Sequence, residues 1–124
     1  MRIYETKWFA RWAKGQPLSD AALAAAIEEM ERGLVDADLG GLLFKKRVGH
    51  SGKGKSGGTR ALVAWRSRNR AVLIYGFAKN QRDNISAREL KALKLLAREF
   101  MGYEEKQLKR LVRADELLEV EDDE

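Results

Sequence analysis

Cysteine is absent from the 124 residues, which removes disulfides and thiolate metal sites and suits a reducing compartment. Histidine occurs once, as His50, so the histidine pair that often shuttles protons in phosphodiester cleavage is not available. Long apolar runs are missing too. The longest reaches about seven residues, far below the roughly 20 that a membrane-spanning helix needs. The opening Met1-Arg2-Ile3-Tyr4-Glu5 has no signal-peptide pattern, and a cytoplasmic location without membrane contact is expected. The most telling absence is local: from Leu39 to Arg82 there is no aspartate or glutamate, against eleven lysines and arginines.

What is present fits one domain. Apolar residues make up 44% of the chain and charged residues 35%, enough for a packed core under a solvated surface. The net charge of +5 understates the field. Four basic and nine acidic residues lie between Tyr103 and Glu124, so residues 1–102 carry a surplus of ten positive charges. A field of one sign raises the local concentration of polyanions and speeds their capture, which points to nucleic acid.

Sequence patterns place the elements. Met1 to Glu5 alternates as a first strand, and Thr6 caps a helix over Lys7–Lys14 that sets Trp8 and Trp12 one turn apart. Ser19 caps a second helix, with Leu18 and Leu23 as its hydrophobic staple and Leu23, Ile27, Met30 and Leu34 as its buried stripe. Leu42–Val48, Thr59–Ser67 and Ala71–Ala78 read as three strands, the last two a hairpin about Arg68-Asn69. Ser86 and Glu89 form a capping box with Ile85 and Leu90 as staple, starting a helix that runs to Met101. A final helix is expected over Glu104–Leu118. The order is β-α-α-β-β-β-α-α, an α+β domain over residues 1–118, with an acidic tail at 119–124 expected to be disordered.

Gly49-His50-Ser51-Gly52-Lys53-Gly54-Lys55-Ser56 has the spacing of a phosphate-binding P-loop. That loop works by leading into a helix N-terminus, whose free amides hold the phosphates. Here the run continues into Thr59-Arg60-Ala61-Leu62-Val63, a strand, and no acidic residue stands nearby to hold magnesium. A basic hairpin loop that follows a nucleic-acid backbone is the better reading.

Strand alternation gathers the candidate site. Lys45 and Arg47 share a face with Leu43, and Arg60 shares one with Leu62, Ala64 and Arg66. Tyr75 and Lys79 are in phase on the last strand, and Arg82 follows it. If these faces coincide, the sheet presents a floor of cations with one phenol and no carboxylate, and without an evident metal-ligand set. Such a floor suits cleavage of RNA without metal or other cofactor. The 2′-OH attacks phosphorus, and fixed guanidinium and ammonium groups stabilise the charge of the phosphorane. A lysine whose pKa is lowered by neighbouring cations could serve as base, with His50, Tyr75 or a second lysine assisting. Taken singly, Lys45 and Arg47 also fit edge protection, Tyr75 a core position, and His50 a solvated one. Lys46 falls on the face of Phe44 and Val48, so a strand end or bulge is expected there. Arg60 and Lys79 sit at strand boundaries, where reach into a cleft is greatest.

The runs Leu43-Phe44-Lys45-Lys46-Arg47-Val48, Lys55-Ser56-Gly57-Gly58-Thr59-Arg60-Ala61-Leu62-Val63, Tyr75-Gly76-Phe77-Ala78-Lys79-Asn80 and Asn84-Ile85-Ser86 resemble the RelE/HigB superfamily of type II toxin–antitoxin toxins, its HigB-like branch above all. The resemblance spans residues 1–118. It implies a RelE-like α+β fold, mRNA cleavage by a toxin commonly bound to the ribosome, inhibition of translation, and a cognate antitoxin that often carries a helix-turn-helix. Carried over by position, Lys45, Arg47, Arg60, Lys79 and Arg82 are the implied catalytic set. Lys53, Lys55, Arg66, His50 and Tyr75 are the residues expected to hold RNA. Asn80 and Ser86 stand where several relatives carry a second arginine and a tyrosine, so the resemblance assigns no general acid. ParE-like relatives that act on DNA gyrase share the fold, and a non-catalytic basic nucleic-acid-binding module is a third reading.

Overall fold

Thr6 ends the first strand and starts the first helix, its hydroxyl accepting the Phe9 amide and donating to the Ile74 carbonyl. The computed structural model describes residues 1–16, 18–50, 54–82 and 84–121, without the side chains of residues 50 and 54–57. Within it the chain runs β1 (Arg2–Thr6), α1 (Lys7–Gly15), α2 (Asp20–Glu31), β2 (Ala37–Gly40), β3 (Leu43–His50), β4 (Gly54–Arg66), β5 (Arg70–Ala78), α3 (Ala87–Gly102), α4 (Glu105–Arg113) and β6 (Leu117–Glu119). The α+β expectation holds. The six strands form one sheet in the order β2-β3-β4-β5-β1-β6. β1 lies parallel to β5, and the other neighbours are antiparallel.

Alternation along the strands divides the core into two layers. Val48, Ala61, Val63, Ala71 and Leu73 face α1 and α2, packing on Phe9, Leu23, Ile27 and Met30. Leu43, Leu62, Ala64, Val72 and Ile74 face α3 and α4, packing on Ala97, Phe100, Met101 and Leu108. The expected helix signals are in place: Ser19 accepts the Ala22 amide, and Ser86 and Glu89 close a reciprocal capping box. Glu31, at the end of α2, accepts from Trp65 Nε1 at 2.7 Å and from Ser67 Oγ at 2.9 Å. These bonds tie the β4–β5 turn to the helical layer. Among the described residues no helix is long and apolar enough to cross a membrane.

Four expectations change. Two short strands, β2 and β6, join the three that were read from the sequence between the helical pairs. The last helix stops at Arg113 rather than Leu118, because Asp115 adopts a positive φ of 61° and turns the chain back along β1. Leu34 lies past the left-handed Gly33 and is exposed instead of completing the α2 stripe. Lys46 is neither at a strand end nor at a bulge. It sits mid-strand, 3% exposed, and its ammonium meets Glu29 of α2 at 2.7 Å. Glu119 belongs to β6 and Val120 is buried with its amide on the Ile3 carbonyl; the end of the expected tail, 122–124, lies outside the described residues.

Candidate functional site

The register of three strands determines which polar side chains meet. Arg47 on β3 is paired with Arg60 on β4, and Arg60 with Phe77 on β5. One step along, Lys45 is paired with Leu62, and Leu62 with Tyr75. Side chains in these two rows are two residues apart on each strand, so they rise from the same face. With strands about 4.8 Å apart, each row spans roughly 10 Å, the scale of a phosphodiester and its two flanking groups. A bulge in β5 sets this phase. Leu73 pairs with Val63 and Tyr75 with Leu62, leaving Ile74 as the extra residue, so Tyr75 turns toward the cationic side.

Arg82 closes the patch from beyond β5. Its guanidinium carbon lies 5.7 Å from the centre of the Phe77 ring, and Nη1 donates to the Tyr75 hydroxyl at 3.4 Å. Its Nη2 donates to Glu89 Oε1 at 2.6 Å, and Nε to the Asn84 carbonyl at 2.9 Å. Glu89 is held far below the ordinary carboxylate range, to about 2, by the Arg82 guanidinium first and by the Ser86 amide second. The same pairing raises Arg82.

Arg47 is also restrained. Its amide donates to Asp36 Oδ2, and its Nε lies 3.5 Å from Asp36 Oδ1. Arg60 is the contrast. It is half-buried, and its Nη1 is enclosed without a hydrogen-bond partner. An enclosed cationic donor is costly to leave unpaired, and this one lies in the middle of the Arg47–Arg60–Phe77 row.

Lys45, Arg47, Arg60, Tyr75 and Arg82 therefore converge as strand alternation suggests. Lys79 is exposed and stands one residue past Ala78, the last paired position of β5. Arg66 does not join them. It is six residues along β4 from Arg60, about 20 Å away, and borders a separate groove with Leu42, Arg98 and Met101. Lys53 lies outside the described residues, as do the side chains of His50 and Lys55. From Gly54 onward the P-loop-like run is strand rather than helix, so it offers no helix N-terminus to a phosphate.

The expected carboxylate-free floor needs correction. Asp36 and Glu89 stand at its two ends, each on an arginine. Both lie outside the acid-free segment, and folding brings them in. Trp8 was also missed as a site residue. Its ring stacks on Tyr75 with centroids 4.6 Å apart and planes 20° apart. Only its helical spacing from Trp12 was legible in the sequence. Among the described residues no three histidine, aspartate or glutamate side chains gather as a metal site.

Comparison with known proteins adds one match. The family model described as the RelE toxin of the RelE / RelB toxin-antitoxin system covers residues 1–120. No curated protein matches the chain.

Proposed function

The chain belongs to the RelE family of toxins from toxin–antitoxin systems, and on that premise we propose that it is a ribosome-associated endoribonuclease that cleaves mRNA through its cationic patch. The observation that carries this reading is the enclosed, unpartnered Nη1 of Arg60, set between Arg47 and Phe77 with Arg82 over that ring. A phosphate oxygen supplies what that nitrogen lacks. Two rigid guanidinium groups from different elements then grip a phosphodiester, and the grip strengthens as the phosphorane gains charge.

In the proposed reaction the 2′-oxygen forms a bond to phosphorus and the bond from phosphorus to the 5′-oxygen breaks. The products are a 2′,3′-cyclic phosphate and a free 5′-hydroxyl. One proton leaves the attacking hydroxyl and one reaches the leaving oxygen, so no other reactant is consumed. Lys45 and Tyr75 flank Leu62 on the same face and can pass protons at the two ends of this displacement. Arg47, steered by Asp36, and Lys79, at the open end of β5, bind the adjoining phosphates. The cognate antitoxin, a helix-turn-helix protein in this reading, silences the toxin by covering the patch.

The test is cleavage of a defined mRNA on purified ribosomes, with ends mapped and the reaction repeated in EDTA. We expect cyclic-phosphate ends within codons, undiminished by the chelator. Arg60→Ala should lower the rate by about 10²–10³-fold, the usual effect of losing one donor to the transition state. Arrest of growth with intact mRNA and broken DNA would refute the ribonuclease reading and favour a gyrase poison.

A further inference from the structure

Trp8 is the one large aromatic of the described residues left substantially in water, at 45% exposure. It opens α1, yet it does not use its ring to fill the helical core as Phe9 does at 0% exposure. Instead the indole lies nearly parallel to Tyr75, centroids 4.6 Å apart. The Tyr75 hydroxyl meets Arg82, Arg82 covers Phe77, and Phe77 pairs with Arg60. Trp8 thus ends a continuous strip that leads from the phosphate-holding arginines to an open aromatic surface. The same ring lines a groove of about 290 Å³ with Leu96, Phe100 and Leu111, so there is room beside it.

We propose that Trp8 is the stacking platform for a nucleobase next to the scissile phosphate, and so fixes the position of the RNA at this site. The inference rests on the ribonuclease reading and adds a positioning residue to it. Three features support a base as the occupant. The strip is continuous with a cationic patch suited to a phosphate. Its free end is an aromatic plane, which attracts any base irrespective of sequence. Finally, Glu99 and Glu116 border the groove, where their carboxylates would repel a phosphate but leave an uncharged base unopposed.

The test uses an RNA oligonucleotide methylated on its 2′-oxygens, which prevents cleavage, with wild type, Trp8→Ala, Trp8→Phe and Arg60→Ala. Removing one stacked aromatic should weaken binding roughly tenfold for Trp8→Ala, and Trp8→Phe should retain most of the affinity because it keeps a flat face. An abasic nucleotide walked along the oligonucleotide should reveal one position that weakens wild type by a similar factor and leaves Trp8→Ala unchanged. Equal loss for Trp8→Ala at every abasic position would mark a purely structural role and overturn the proposal. So would full RNA affinity of Trp8→Ala beside a weakened Arg60→Ala, including the case where antitoxin binding alone suffers. If wild type itself fails to bind the oligonucleotide, the ribonuclease reading falls and this inference with it.

Discussion

Arg47 and Arg60 stand directly opposite each other on β3 and β4, a like-charge pairing that a sheet ordinarily avoids. Asp36 relieves only Arg47, and one enclosed nitrogen of Arg60 has no partner. Such a breach of local rules, uncompensated within the chain, is what a binding site for an anion looks like before the anion arrives. It predicts a divergence between stability and activity. Arg60→Met keeps the apolar stem and removes the charge, so the urea midpoint should hold or rise, by up to about 1 kcal/mol. RNA cleavage by the same variant should fall by about two orders of magnitude or more. Parallel loss of both would make Arg60 a structural residue.

The Arg82–Glu89 pair makes a second, pH-dependent prediction. Glu89 sits at about 2 in the folded chain against an ordinary value of 4.5. A depressed folded value means that the ionised carboxylate stabilises the fold above pH 4.5, and that this contribution disappears as the pH falls toward 2. The carboxylate is solvent-facing, so the effect is also weakened by salt. The urea midpoint of wild type should therefore decline through this range more steeply than that of Glu89→Gln. Identical acid profiles for the two proteins would show that the pair holds nothing in place.

Much of this fold was legible because its signals are local. Thr6, Ser19 and the Ser86–Glu89 box announce helix starts within four residues of sequence. Alternation on β3 and β4 likewise placed Lys45, Arg47 and Arg60 on one face before their register was known. The failures were non-local. β2 is Ala-Asp-Leu-Gly, with no β-branched residue, and it forms because Asp36 and Ala37 meet β3. β6 was hidden inside an unbroken helical pattern that has no glycine or proline to stop it; the break comes at Asp115, in a left-handed conformation. Lys46 looked misplaced since its partner, Glu29, is carried in by α2. Asp36 and Glu89 were unreadable as site residues for the same reason, and Glu89 already had a sufficient local role as a cap.

Gly76 tests how the aromatic strip is held. A methyl group at this position would lie 2.2 Å from Trp12 Cζ3 and 2.6 Å from Cη2, well inside contact distance. Trp12 stacks with Trp8 at 6.0 Å, so displacing it disturbs the platform as well as the core. Gly76→Ala should cost about 1–3 kcal/mol, the range for overpacking, measured by urea titration. The tryptophan emission of the folded variant should shift, since two of the three indoles in the chain change surroundings. An unaltered midpoint would mean that Trp12 has room to move aside.

Glu5 makes the last prediction, on the opposite face from the cationic patch. It is 7% exposed, between β1 and α1, and lines a groove of about 440 Å³ with Lys7, Arg11, Lys14, Asp20 and Glu119. Burial first, and the Asp20 carboxylate second, push it up to about 7, while Lys14 opposes the shift. A raised acid reverses the sign found for Glu89. Between pH 4.5 and 7 the unfolded chain has lost this proton and the folded chain still keeps it, so stability falls as pH rises and levels off above 7. Glu5→Gln keeps the shape and removes the charge. It should match wild type below pH 4.5 and be the more stable protein at pH 8, by about 2–3 kcal/mol from the size of the shift. Urea titrations of both proteins at the two pH values decide the matter. A constant difference between them would locate the cost of Glu5 in packing rather than in its charge.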